Sequence, residues 1–190
     1  MRKSMLCLLP VIAVLSCGAQ DPAFRYALDT QGSDVKARVA FFGLASKTAR
    51  FPDISGSFAV TPTDIGSARM DVDIDARSLT TGDGQTAILR GRQFFDVKRY
   101  PTLHFSGQHM EMTGDRTATI DGAMTAHGVT RPIRLAITFA TPPMETGGTQ
   151  PIALVGTTSV DRYAYGMRAF PLIVGRMVNV TIRARMVPLS

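Results

Sequence analysis

Ser67-Ala68-Arg69-Met70-Asp71-Val72-Asp73-Ile74-Asp75-Ala76-Arg77 is the stretch that decides the fold class. Met70, Val72, Ile74 and Ala76 alternate with Arg69, Asp71, Asp73, Asp75 and Arg77. A period of two, apolar on one side and charged on the other, belongs to a strand with one buried and one solvated face. Three carboxylates on one strand face are also the donor type of a hard-cation site. With Arg69 and Arg77 flanking them, the reading adopted is a solvated outer face whose acids pair with those arginines.

The same period recurs outward in both directions. Val35, Ala37, Val39 and Phe41 alternate with Lys36, Arg38 and Ala40; Ile133, Leu135, Ile137 and Phe139 alternate with Arg134, Ala136 and Thr138. Near the end, Val178, Val180, Ile182, Ala184 and Met186 alternate with Asn179, Thr181, Arg183 and Arg185. Weaker runs fall at 25–30, 56–61, 102–112, 117–126 and 152–160. Thr113-Gly114-Asp115-Arg116 reads as a hairpin turn, and Thr141-Pro142-Pro143 with Gly147-Gly148 as a longer loop. The expectation is eight or nine strands, eight of them forming an all-β antiparallel barrel. Closure removes the unpaired edges that so many strands would otherwise expose. From Gln85 to Val97 the alternation stops, which predicts a short helical segment across a barrel mouth or sheet edge, ended by Tyr100-Pro101. There, adjacent Phe94 and Phe95 would point about 100° apart, one inward and one bracing the segment.

Composition narrows the function classes. Hydrophobic residues make up 45% of the 190, enough for a core and too many for a disordered chain. The formal charge of +6 comes from 21 Lys and Arg spread without a block, and the chain has no Trp and four Tyr. Nucleic-acid binding, which needs clustered cations with stacking aromatics, is therefore not expected. An outer-membrane barrel is disfavoured for want of aromatic girdles.

Met1-Arg2-Lys3-Ser4 followed by apolar Met5–Leu15 reads as a secretory signal, since a helix of that length rises only about 16 Å. Two cleavage readings stand. Val14-Leu15-Ser16-Cys17 resembles a lipobox, in which Cys17 is lipidated and tethers the protein to a membrane; cleavage after Ala19 frees Gln20 instead. The expectation is a signal peptide over 1–19 and one domain over 20–190, located in the periplasm, soluble or lipid-anchored.

The search for chemistry finds no catalytic constellation. His104 and His109 lie five apart on one strand and point to opposite faces unless a bulge intervenes. His127, beside Gly128, reads as a turn residue, and no metal site is expected. No Gly-x-Ser-x-Gly elbow, His-Glu-x-x-His helix or phosphate-cradling loop occurs.

Ser78-Leu79-Thr80-Thr81, Leu89-Arg90, Gln93-Phe94-Phe95-Asp96-Val97 and Tyr100-Pro101-Thr102-Leu103-His104-Phe105 closely resemble the core signature of the YceI-like family. Tyr26-Ala27-Leu28-Asp29, Gly56-Ser57-Phe58, the run Met124–Pro132 with its His127-Gly128-Val129-Thr130, and Asp161-Arg162-Tyr163-Ala164-Tyr165-Gly166-Met167 agree in order. The resemblance implies an exported, lipocalin-like barrel that binds a long isoprenoid or fatty chain in an apolar interior. It departs at Gln85-Thr86-Ala87-Ile88-Leu89, where the family usually has Arg-Asp-x-His-Leu, and at Phe42-Gly43, where the family often has a His before the Gly. If those polar residues grip a head group, this chain grips it differently or takes a more apolar ligand.

The candidate cavity wall is Phe41, Phe58, Ile74, Phe94, Phe95, Phe105, Ile137, Phe139 and Met167, with Met70, Met110, Met112, Met124, Met177 and Met186 also available to line the interior. The expected function is non-catalytic carriage or buffering of an apolar lipid, with no other cofactor. The alternative is an envelope stress or interaction protein with a filled barrel, and a hydrolase is the weakest reading. A homodimer stays open.

Overall fold

The computed structural model describes residues 23–189. Among them, eleven strands form one antiparallel sheet: β1 (Phe24–Leu28), β2 (Asp34–Phe41), β3 (Ala45–Phe51), β4 (Ile54–Thr61), β5 (Asp64–Asp75), β6 (Thr80–Thr81), β7 (Thr102–Met112), β8 (Thr117–Ala126), β9 (Val129–Phe139), β10 (Ile152–Asp161) and β11 (Val174–Pro188). Eight of these, in the order β1-β4-β5-β7-β8-β9-β10-β11, close on themselves when Tyr26, Ala27 and Leu28 pair with Pro188, Val187 and Met186. The barrel is therefore the expected one.

β11 carries the topology. Its last residues pair with β1, while Val174–Arg183 pair with β2, which continues to β3 and β6. The wall between β11 and β5 thus has two tiers, β1–β4 toward one end and β2–β3–β6 toward the other. A register shift between Val174 and Val178 eases the fork and leaves Met177 exposed. Met177, expected to be available to the interior, points out for that reason.

On β5 the alternation holds: Ala68, Met70 and Ile74 are buried while Arg69, Asp71 and Asp73 are exposed. The outer-face pairing needs one correction. Arg77 does hold Asp75, at 2.9 Å, but Arg69 donates to the carbonyls of Ser67, Ala68 and Gln108, and it is His104 that sits 2.8 Å from Asp73. A bulge between Gly107 and His109 turns His109 to the same outer face as His104. They sit about four strand rises apart, beyond sharing a ligand.

Two strands escape the sequence pattern, β3 and β6. β3 reads Ala-Ser-Lys-Thr-Ala-Arg-Phe, and its inward phase carries Lys47, Ala49 and Phe51. The helical segment is short, as expected: α1 covers Thr86–Arg90, and residues 91–99 run on as turns with Asp96 at φ +44°. Arg90 ties α1 down by donating twice to the Leu79 carbonyl, and Thr86 Oγ1 accepts from the Thr81 amide.

The β8–β9 hairpin explains the His127-Gly128 pair. Both residues have positive φ, +49° and +74°, as the two central positions of a type I′ turn require. A Cβ at Gly128 would lie 2.5 Å from the Tyr100 ring, so the turn is closed over by the segment that follows α1.

Candidate functional site

The barrel interior is unevenly filled. At the β1–β4 tier, Tyr26, Phe58, Met110, Ile120, Ile137 and Phe139 are buried against one another. The Tyr26 hydroxyl donates to Thr146 Oγ1, whose own proton goes to the Pro143 carbonyl, so the loop 142–149 seals this end. At the β2–β3 tier the inward residues are smaller, with Ala37, Val39, Ala49, Ala126, Val180 and Ala184 among them. These short side chains, set among larger ones such as Phe41, Leu103 and Phe105, leave a void. It has a volume of about 400 Å3, within the range of small-molecule sites.

Six of the expected wall residues line this cavity: Phe41, Ile74, Phe94, Phe95, Phe105 and Met167. Phe58, Ile137 and Phe139 do not. Ile137 and Phe139 lie in the filled tier, and Phe58 borders a small gap there with Tyr26 and Met110. Their inward phase is as expected; their height along the barrel axis is what alternation cannot report. Of the methionines, Met70, Met124 and Met186 line the cavity while Met110 and Met112 lie at the filled end.

Phe94 and Phe95 correct a second expectation. Both line the cavity, because α1 has ended before them and the turns of 91–99 no longer impose a helical angle between neighbours. Phe94 stacks on Phe170 at 6.1 Å and Phe95 meets Phe51 edge-on at 5.5 Å, fastening this cover to the 166–173 loop and to β3.

The mouth is apolar as well. Phe42, Ile88 and Phe170 are exposed yet line the cavity, and Leu44 and Leu172 beside them are almost wholly exposed. The Phe42 amide donates to the Ile173 carbonyl, joining the two loops that carry these side chains. Phe42 has φ +52°, a conformation costing a residue of its size roughly 1–2 kcal/mol. Its position puts a ring at the rim. Polar residues at the mouth are Lys47 and Asp83, ion-paired to each other, with Thr81 and Gln85.

On the wall itself, polarity comes from Thr158, Arg162 and Tyr165. The Thr158 hydroxyl is committed to the Arg134 carbonyl at 2.8 Å. Arg162 and Tyr165 begin and end a single turn, each 3% exposed. Asp161 caps the turn by accepting the Tyr163 amide, and Gly166 ends it at φ +79°. Both residues stood in the quoted Asp161–Met167 motif, but spacing alone gave them no role.

Among the described residues no group of three His, Cys, Asp or Glu is placed to hold a metal ion. His127 Nδ1 donates to the Tyr165 carbonyl at 3.1 Å, a structural bond. The signal-peptide reading and Cys17 lie outside the described residues.

Comparison with known proteins gives concordant results. The YceI-like domain family matches residues 26–186. A UPF0312 protein of Pseudomonas putida is 27% identical over 171 residues, covering 88% of each chain. Burkholderia cenocepacia BcnA superposes with a TM-score of 0.74 at 19% identity, over 83% of this chain and 98% of that one. A polyisoprenoid-binding domain from Saccharophagus degradans, implicated in plant cell wall breakdown, gives 0.66 at 15% identity, over 86% and 98%.

Proposed function

The chain belongs to the YceI-like family, and from that premise we propose that it binds a long apolar lipid, of polyisoprenoid or fatty-chain type, in the hollow tier of its barrel and carries or buffers it in the periplasm. The observation that carries the reading is the cavity of about 400 Å3 walled by Ala, Val, Phe and Met side chains. Burial yields about 0.8 kcal/mol per methylene, so ten buried carbons contribute roughly 8 kcal/mol, against an association cost of at least about 4 kcal/mol. Binding without chemical change is the role such a site performs. The polyisoprenoid-binding neighbour of the same fold supports the ligand class.

Access is through the rim of Phe42, Ile88 and Phe170, under the cover formed by 85–97. Location rests on residues 1–19 acting as an export signal, with Cys17 as the tether if it is acylated. Native mass spectrometry of protein purified from its periplasm tests the reading. A bound species of several hundred daltons, released by organic solvent, is the expected result. Lipid-free protein that also takes up no isoprenoid or fatty chain after delipidation leaves the filled-barrel interaction protein in its place.

A further inference from the structure

Among the described residues, one buried side-chain polar atom has no hydrogen-bond partner, the hydroxyl of Tyr165. An unmade bond of this kind costs more than a typical bond contributes, so native proteins rarely leave one. Tyr165 lines the cavity, and its position is fixed from both sides: its carbonyl accepts from His127, and the turn it ends is capped by Asp161. Burial pushes its phenol up, so it stays protonated and available as a donor.

Arg162, at the other end of the same turn, lines the same cavity. Nε, Nη1 and Nη2 donate to the carbonyls of Gly175, Met167 and Val174 at 2.8, 2.5 and 2.8 Å. A guanidinium has five N–H donors, so two remain. Its neighbour Asp161 is committed to Arg176, and among the described residues no carboxylate pairs with Arg162. The guanidinium lies over the Tyr163 ring at 4.8 Å and feels the Asp161 charge, yet a buried cation with no directly paired anion stays costly. Pinning three carbonyls explains why Arg162 is present; it explains neither the missing anion nor the idle phenol.

We infer that the Arg162–Tyr165 turn is a head-group station on the cavity wall, where the Tyr165 hydroxyl donates to an anionic oxygen of the lipid, carboxylate or phosphate, held in the field of Arg162. The inference rests on the lipid-binding reading above and specifies the polar end of the ligand.

The test uses delipidated protein and displacement of an environment-sensitive apolar dye by two pairs of chains differing only at the head: hexadecanoate with hexadecanol, and farnesyl phosphate with farnesol. The parent is expected to prefer the anionic member of at least one pair by about tenfold, the scale of one charge-assisted bond. Which pair shows the preference tells carboxylate from phosphate. Tyr165→Phe is expected to abolish most of that preference by weakening the anion far more than the alcohol, and to keep or raise the melting temperature of the empty protein. Equal binding of acid and alcohol by the parent, or an equal loss for both in the variant, overturns the inference and leaves lipid binding standing. Displacement by neither pair overturns the lipid-binding reading and this inference with it.

Discussion

Phe139 and Phe95 are both phenylalanines of the barrel interior, yet their removal should have unequal consequences. Phe139 is 3% exposed, belongs to the filled tier and does not line the cavity. Truncating it to Ala leaves a sealed hole, for which the cost is about 3–5 kcal/mol. At roughly 2–4 °C per kcal/mol for a chain of this size, the melting temperature should fall by about 6–20 °C. Phe95 is half-buried and one side of its ring faces a void, so fewer dispersion contacts are forfeited. Its edge-on contact with Phe51 is the main specific loss, worth about 0.5–1.5 kcal/mol, with a share of apolar burial besides. Phe95→Ala should therefore lower the midpoint by no more than about half as much as Phe139→Ala. Both should be melted after delipidation, followed by circular dichroism, because bound ligand adds stability of its own. Dye displacement on the same samples should show altered affinity for Phe95→Ala and parental affinity for Phe139→Ala. Equal falls in midpoint, or an affinity change confined to Phe139→Ala, would refute the division of the barrel into filled and hollow tiers.

Phe94→Asp places a charge on an apolar wall and should block lipid uptake while the barrel stays folded; retained uptake would argue against the cover. Gly128→Ala forces a Cβ toward Tyr100 at a positive φ, and should cost about 1–3 kcal/mol in thermal unfolding, with an unchanged midpoint counting against the turn assignment. Hydrogen bonds from Arg185, Arg77, Arg134 and Arg176 hold the carboxyls of Asp29, Asp75, Asp121 and Asp161 below their usual range. Lowered carboxyl pKa values stabilise the fold above the unfolded value near pH 4, and the contribution is lost as pH falls through the folded values. The midpoint should drop below about pH 4, less steeply in high salt; a flat profile down to pH 2 excludes the effect. Intact-mass analysis of the exported protein should give a start at acylated Cys17 or at Gln20, with Cys17→Ala releasing it from membranes in the first case; a mature chain retaining 1–19 defeats both.

The β5 strand was legible because an apolar interior lies along its whole length, so every second residue from Ala68 to Ile74 had to be apolar. β3 was not, because its inward line starts at the mouth with Lys47, whose ammonium lies over the Phe41 ring and pairs with Asp83, and the alternation shows only at Ala49 and Phe51. Two-residue β6 has no period to read. Inward phase was legible for Ile137 and Phe139 and for Leu135 alike, but only the last borders the cavity. Period two reports the face of a strand and nothing about depth. The Tyr165 hydroxyl had no signature at all, since what marks it is a missing partner.

The two-tier wall also separates what natural variation can do at each end. Enlarging Ala37 or Ala49 would intrude on empty space, and filling a void commonly adds about 0.5–2 kcal/mol of stability, so such changes cost the fold nothing while shortening the room for cargo. A comparable change at Ile120 or Ile137 would overpack a full interior and be purged. Lineages of this barrel can therefore drift in which chain they accommodate, one small residue at a time, while the opposite end stays fixed by the need to fold. Relatives that keep the architecture at low overall identity are what such a molecule would leave behind.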